Sequence, residues 1–283
     1  MTVSKAGSSG DRARKKPRPG APAEAGLEAG EAFPVYEGIG VYAESGLHAS
    51  LKAHYAGPEG RLEVALEGRI VDLVRGAAGD EELVEIQTRR FDKISAKVLA
   101  LAEGHKVRLV HPVVAELRIA RLSPETGEVL SERKSPKAGD LWSIFDELMR
   151  APALMVARNL TVELVLVRCR EIRCRDGTGS WRRRGDKVLS RDLEEVLEAR
   201  AFSRPSDWLR LLPRDLDPPW SSVSLGEALG IGAERARRVL YSFASAGLIE
   251  QVGKEGRRKL YAPLPSRPKA GKKPTTRKAA TKP

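Results

Sequence analysis

The sequence predicts an α/β fold, a mixed central sheet flanked by helices, with a small C-terminal domain behind it and a basic tail at either end. Three observations predict it. From residue 46 to residue 111 the chain reads helix, strand, strand, strand, helix, strand, the helices with apolar residues every three or four positions and the strands as short apolar runs. Two of those runs carry a carboxylate in their middle: Asp72 in Ile70-Val71-Asp72-Leu73-Val74, and Glu85 in Leu83-Val84-Glu85-Ile86. A separate tract from 224 to 262 then reads helix, glycine turn, helix and a basic hairpin.

In chain order, residues 1–34 are rich in Gly, Ala, Pro and Ser, with a basic cluster at 12–18 offset by Glu24, Glu28 and Glu31. They are expected to be disordered. No apolar stretch follows those charges as it would in a secretory signal, and none approaches the ~20 residues of a membrane span. A cytoplasmic location with no membrane partner is expected. Cys169 and Cys174 are too few and wrongly spaced for a zinc site and fit a reducing compartment. The four histidines show no metal-binding spacing and read as structural or surface residues.

Between the tails lie about 230 residues, enough for two domains with real cores. The first, 35–200, opens with a helix at 46–56 and a strand at 61–66, on which Glu63 and Glu67 read as solvated residues opposite Leu62, Val64 and Leu66. The strands around Asp72 and Glu85 are joined by Arg75-Gly76-Ala77-Ala78-Gly79-Asp80, whose small and turn-forming residues suit a hairpin. A helix at 91–103 and a strand at 106–111 come next, then a hairpin over 115–122 and 128–134 and an amphipathic helix at 140–149. A strongly apolar strand at 160–170 leads to a loop, 180–187, that sets an arginine run beside Trp181. Residues 191–201, rich in Leu, Glu and Ala, predict a charged helix closing this domain. The second domain, 201–264, begins with a short helix at 206–212 and a linker at 213–219. The tail at 265–283 holds seven basic residues and no acidic one.

Burying a charge costs several kcal/mol unless something compensates, about the scale of a whole domain's net stability. Asp72 and Glu85 therefore imply a partner or a cation. Strand alternation places Asp72 with Ile70 and Val74, and Glu85 with Leu83 and Gln87. If the two strands pair as a hairpin, the carboxylates converge into a hard-oxygen site suited to Mg²⁺ or Mn²⁺. The alternative is that they pair with Arg69, Arg89 or Arg90 and do no chemistry.

With these residues in order, the segment resembles the αβββαβ core of the PD-(D/E)XK nuclease superfamily. The resemblance implies that Asp72, Glu85 and the Ile86 carbonyl bind the metal, and that Gln87 occupies the position of the motif lysine. Glutamine supplies no positive charge. Some members of that superfamily take the missing lysine from the following helix, where Lys97 stands at the edge of the apolar face, with Lys93 one turn earlier. The family also often draws an acid from the first helix, and Glu44 lies just before it.

The tract from Ser224 to Ala262 resembles winged helix-turn-helix domains. Ala236, Val239, Leu240 and Phe243 are expected to face the core with Leu225, Leu229 and Leu248, leaving Arg235, Arg238 and Ser242 on the other face. The resemblance implies base-edge or backbone roles for Arg235 and Arg238, and phosphate roles for Lys254, Arg257 and Arg258 in the wing. A structural annex or a protein-binding winged helix is the plainer alternative.

A formal net charge of +12 favours a polyanionic partner. The expected function is a Mg²⁺-dependent endodeoxyribonuclease acting through Asp72, Glu85, Gln87 and Lys97. The rival is a non-catalytic DNA-binding regulator that uses a degenerate nuclease-like fold for sensing or to form a homodimer. A third reading is an interaction protein whose C-terminal domain binds another protein.

Overall fold

A computed structural model describes residues 46–177, 179 and 185–265. The expected tail 1–34, all of the expected tail 265–283 except Pro265, Glu44 and the arginine run beside Trp181 lie outside the described residues. The chain begins with helix α1 (Gly46–Ala56), strands β1 (Arg61–Leu66), β2 (Arg69–Arg75) and β3 (Glu82–Ile86), helix α2 (Phe91–Gly104) and strand β4 (Lys106–Leu122). Strand β5 (Val129–Lys134), helix α3 (Phe145–Leu148) and strands β6 (Leu160–Cys174) and β7 (Lys187–Phe202) complete the sheet region. Helices α4 (Pro205–Leu209), α5 (Ser222–Ala228) and α6 (Ala233–Ser245) lead to a hairpin of β8 (Ile249–Glu255) and β9 (Arg258–Pro263).

The fold is α/β, with a mixed sheet in the order β1-β2-β3-β4-β6-β7 and β5 paired to β4. β1, β2 and β3 run antiparallel to one another, and β3, β4 and β6 run parallel. A parallel pair needs a crossover, and α2 supplies it between β3 and β4. Each face of the sheet is covered. Leu47, Leu51 and Tyr55 of α1 pack on Leu73, Val84, Ile86 and Val110. Phe91, Val98 and Leu101 of α2 pack on Val74, Leu83 and Val107 of the other face. The expected strand at 106–111 and the first strand of the expected hairpin form one long strand, β4, despite Pro112. The proline is tolerated because the β3 ladder ends at Ile86↔Val110, so no partner on that side needs its missing N–H.

The charged helix expected at 191–201 is instead the antiparallel edge strand β7, paired to β6 from Cys174↔Lys187 to Val162↔Phe202. Helix propensity is a weak prior, and here the neighbouring strands override it. The carboxylates that suggested a solvated helix face arginines across the sheet: Glu195 pairs with Arg168, which also reaches Glu116 at 2.9 Å.

The region after residue 201 shares the α2-side core. Phe202 stacks on Trp208 with ring centroids 4.0 Å apart, and Phe145 of α3 stacks on Phe243 of α6 at 5.7 Å. Phe145, Trp208 and Phe243 are all essentially without solvent contact. The amphipathic helix expected at 140–149 is shorter, a 3-10 turn at Leu141–Ile144 continuing into α3, and it is the surface on which α6 sits. Among the described residues no helix is long and apolar enough to cross a membrane.

Candidate active site

The sheet is irregular at Asp72 on both sides. The β1–β2 ladder pairs Leu62↔Leu73 and Val64↔Val71 but skips Glu63 and Asp72. The β2–β3 ladder stops at Leu73↔Val84, one rung short of Asp72 and Glu85. Val71 and Val74 enter the same core while Leu73 enters the other, so the two-residue alternation that placed Asp72 with Val74 breaks at Asp72 itself. Opposite it, Glu63 holds a left-handed backbone, φ 52°, a conformation that costs a non-glycine residue about 1 kcal/mol and recurs at functional sites.

The break frees the Asp72 carboxylate to act like a missing backbone carbonyl. Its Oδ2 accepts the Ile86 N–H at 2.9 Å. The same oxygen lies 3.2 Å from His48 Nε2, and that nitrogen is 2.9 Å from the Ile86 carbonyl oxygen. Two oxygens that the metal-site expectation singled out thus share one donor nitrogen. Lys52, one turn along α1 and buried, sits 3.5 Å from Asp72 Oδ1 and 3.2 Å from Glu63 Oε1. Burial pushes the Asp72 carboxyl up, but the hydrogen bonds from His48 and Ile86 and the nearby charges outweigh it and hold the group below its ordinary range.

Glu85 is 2% exposed and is approached from the other helix. Lys97 Nζ of α2 stands 2.5 Å from Glu85 Oε1 and also donates to the Ile70 carbonyl. The contact with Glu85 is a close ion pair, and the Asp72 backbone N–H also reaches the Glu85 carboxylate. Burial raises the Glu85 pKa, and the Asp72 charge adds to it against the pull of Lys97. Adjacent carboxyls whose environments drive them in opposite directions are a mark of acid–base chemistry.

The structure brings Asp72, Glu85, Ile86 and Lys97 together and leaves two neighbours aside. The Gln87 side-chain amide turns away to donate to the Arg89 carbonyl, while the Gln87 backbone is held by Val110, whose carbonyl accepts its N–H at 2.9 Å, and by His111 Nδ1 on its carbonyl at 2.8 Å. Lys93 is exposed on α2. The arginine alternative fails for Arg90, which pairs with Asp92, and for Arg69, which reaches the Glu67 carbonyl. His48 and Lys52 were missed by sequence reasoning, and a single signal pointed to them. They stand four residues apart on a helix whose apolar residues Leu47, Leu51 and Tyr55 fix which way that face must turn.

Among the described residues no group of three or more His, Cys, Asp and Glu side chains is arranged to hold a metal ion. The available set is two carboxylates and a carbonyl. That set fits Mg²⁺, which keeps several of its waters and binds through one or two carboxylates.

The C-terminal residues need correction. Arg235 and Arg238 do not stand on an open face: Arg235 pairs with Asp140 at 2.6 Å, and Arg238 pairs with Asp146 at 2.5 Å and with Glu234 at 2.7 Å. Ser242 is fully buried and donates to the Arg238 carbonyl. The face of α6 expected to be outward is docked on the segment 140–148, because Val239 and Phe243 carry its apolar surface round to Phe145. Lys254, Arg257 and Arg258 are exposed on the β8–β9 hairpin, as expected.

A family model described as "Domain of unknown function (DUF8091)" matches residues 45–203. An uncharacterized protein of Treponema pallidum (strain Nichols) is 31% identical over 222 residues, 78% of this chain and 86% of that relative. No solved structure matches significantly.

Proposed function

We propose that this chain, which belongs to the DUF8091 family, is a metal-dependent nuclease that hydrolyses phosphodiester bonds in DNA. The arrangement is similar to the PD-(D/E)XK core, and the C-terminal region to a winged helix. One observation carries the reading: Asp72 Oδ2 and the Ile86 carbonyl oxygen both face His48 Nε2, at 3.2 and 2.9 Å, with the buried Glu85 carboxylate beside them. Two neighbouring carboxylates at a break in the sheet repel one another and cost stability unless cations offset them.

Asp72, Glu85 and the Ile86 carbonyl would hold Mg²⁺ or Mn²⁺, which when bound supplies a Lewis acid for the scissile phosphate. Lys97, not Gln87, provides the positive charge: its ammonium stands at Glu85 and can donate protons to a phosphate oxygen or orient the attacking water. His48 and Lys52 hold Asp72 ionised and fix its direction.

Mg²⁺ or Mn²⁺ titrated calorimetrically into wild type and into an Asp72→Ala, Glu85→Ala double variant tests this reading. Saturable binding lost in the variant, together with metal-dependent cleavage of plasmid and linear DNA, supports it. A second reading, a non-catalytic regulator, is favoured by one fact. His48, Lys52 and Lys97 already offset both carboxylates without a metal. Absence of saturable binding with DNA present would select it.

A further inference from the structure

We infer that the C-terminal region grips nucleic acid by its phosphate backbone, without reading sequence, through the outer face of α6 and the β8–β9 hairpin. The inference rests on the nucleic-acid partner proposed above and adds which surface meets it and how. Its starting point is the docking of α6. Phe145, Trp208, Val239 and Phe243 are buried with essentially no exposure, so undocking would expose several large apolar side chains at about 1.5–3 kcal/mol each. Such an interface is permanent on the scale of a binding event. Arg235 and Arg238 are accordingly engaged as inter-element ion pairs with Asp140 and Asp146.

A different face remains outward. Arg237 and Tyr241, four residues apart, share the solvent side of α6, and Tyr241 is 47% exposed. Helix α6 packs against β8, so the hairpin lies beside it. The hairpin adds Lys254, Arg257, Arg258 and Lys259, all exposed, against Glu250 and Glu255. None of these four cations, nor Arg237, makes an ion pair among the described residues, whereas most arginines of the sheet are paired. Unpaired cations around an exposed aromatic ring fit a phosphodiester backbone. With Arg235 and Arg238 held by Asp140 and Asp146, these two arginines are not offered to base edges.

The test uses the full-length chain and fluorescence anisotropy on two short duplexes of unrelated sequence over a range of NaCl. The triple variant Arg237→Ala, Arg257→Ala, Arg258→Ala is expected to bind both duplexes at least about tenfold more weakly, with a salt slope lower by about 3. Lysine at the same three positions is expected to restore binding, since a backbone contact needs a charge and a bidentate base contact needs the guanidinium. Circular dichroism confirms that these surface variants fold. Wild-type affinity and slope in the triple variant would overturn the inference, as would a preference of wild type for one duplex by more than about tenfold. No binding by wild type even at low salt would instead overturn the nucleic-acid reading beneath it.

Discussion

Two regions of one sheet bury carboxylates, and they do so in opposite ways. Glu171 on β6 is 1% exposed and fully answered: Arg173 Nε donates to one oxygen at 2.7 Å, and Arg191 Nε to the other at 3.0 Å. Burial pushes its pKa up, but the two guanidinium groups outweigh burial and hold it below its ordinary range. Glu85 is equally buried, yet one ammonium and the Asp72 backbone N–H do not offset its burial and the neighbouring Asp72 carboxylate, and its pKa is raised. A buried acid by itself therefore says little about function. An acid that the surrounding residues have been left unable to satisfy says more, because selection for stability alone would pair it or remove it.

Substitutions can break or sharpen this contrast. The largest effect is expected for Asp72→Ala, which should lower metal-dependent cleavage by about 10³-fold or more in a gel assay while leaving the melting temperature within a few degrees. Full activity in that variant would remove the basis for assigning chemistry to the splayed strands. Glu171→Ala should do the reverse. It strands two arginines, one of them partly solvated, and is expected to cost about 2–3 kcal/mol in urea unfolding, with cleavage unchanged in the protein that remains folded.

A subtler difference is expected with pH. Glu171, with its depressed folded pKa, contributes stability above its unfolded value near 4.5 and loses it as pH falls through the folded value. The stability gap between wild type and Glu171→Gln should therefore narrow on acidification below 4.5. Glu85, raised in the fold, has the opposite sign: its charged form is disfavoured, so wild type loses stability as pH rises from 4.5 through the folded value. Glu85→Gln should then gain on wild type toward neutrality in melting curves recorded across that range. The smallest effect is expected for Arg235→Ala, whose pair with Asp140 is half exposed: at most about 1 kcal/mol, read from the urea midpoint.

The legibility of the fold depended on the range of the signals involved. The helix–strand order around Asp72 and Glu85 was readable because two charges inside apolar runs violate a local rule, and Lys97 because it stood at the edge of an amphipathic helix. Glu63 read as a solvated strand residue because sequence carries no sign of the left-handed backbone that brings it, through Lys52, to Asp72. Strand β7 was misread because Leu, Glu and Ala favour a helix when considered alone, and the arginines that hold its acids lie on another strand. The docking of α6 was hidden for the same reason: Asp140 and Asp146 are more than ninety residues from Arg235 and Arg238. Heptad-like spacing identified Val239 as core without saying whose core it joins.

The stack of Phe202 on Trp208 lies across residue 203, the point at which the family match ends. A fragment trimmed to that limit would present Phe145, Leu148 and Phe202 to water, a contiguous apolar surface that soluble monomers rarely tolerate. Relatives that keep the sheet but lack α4 to β9 are expected to carry polar residues at these three positions, or another segment that covers them.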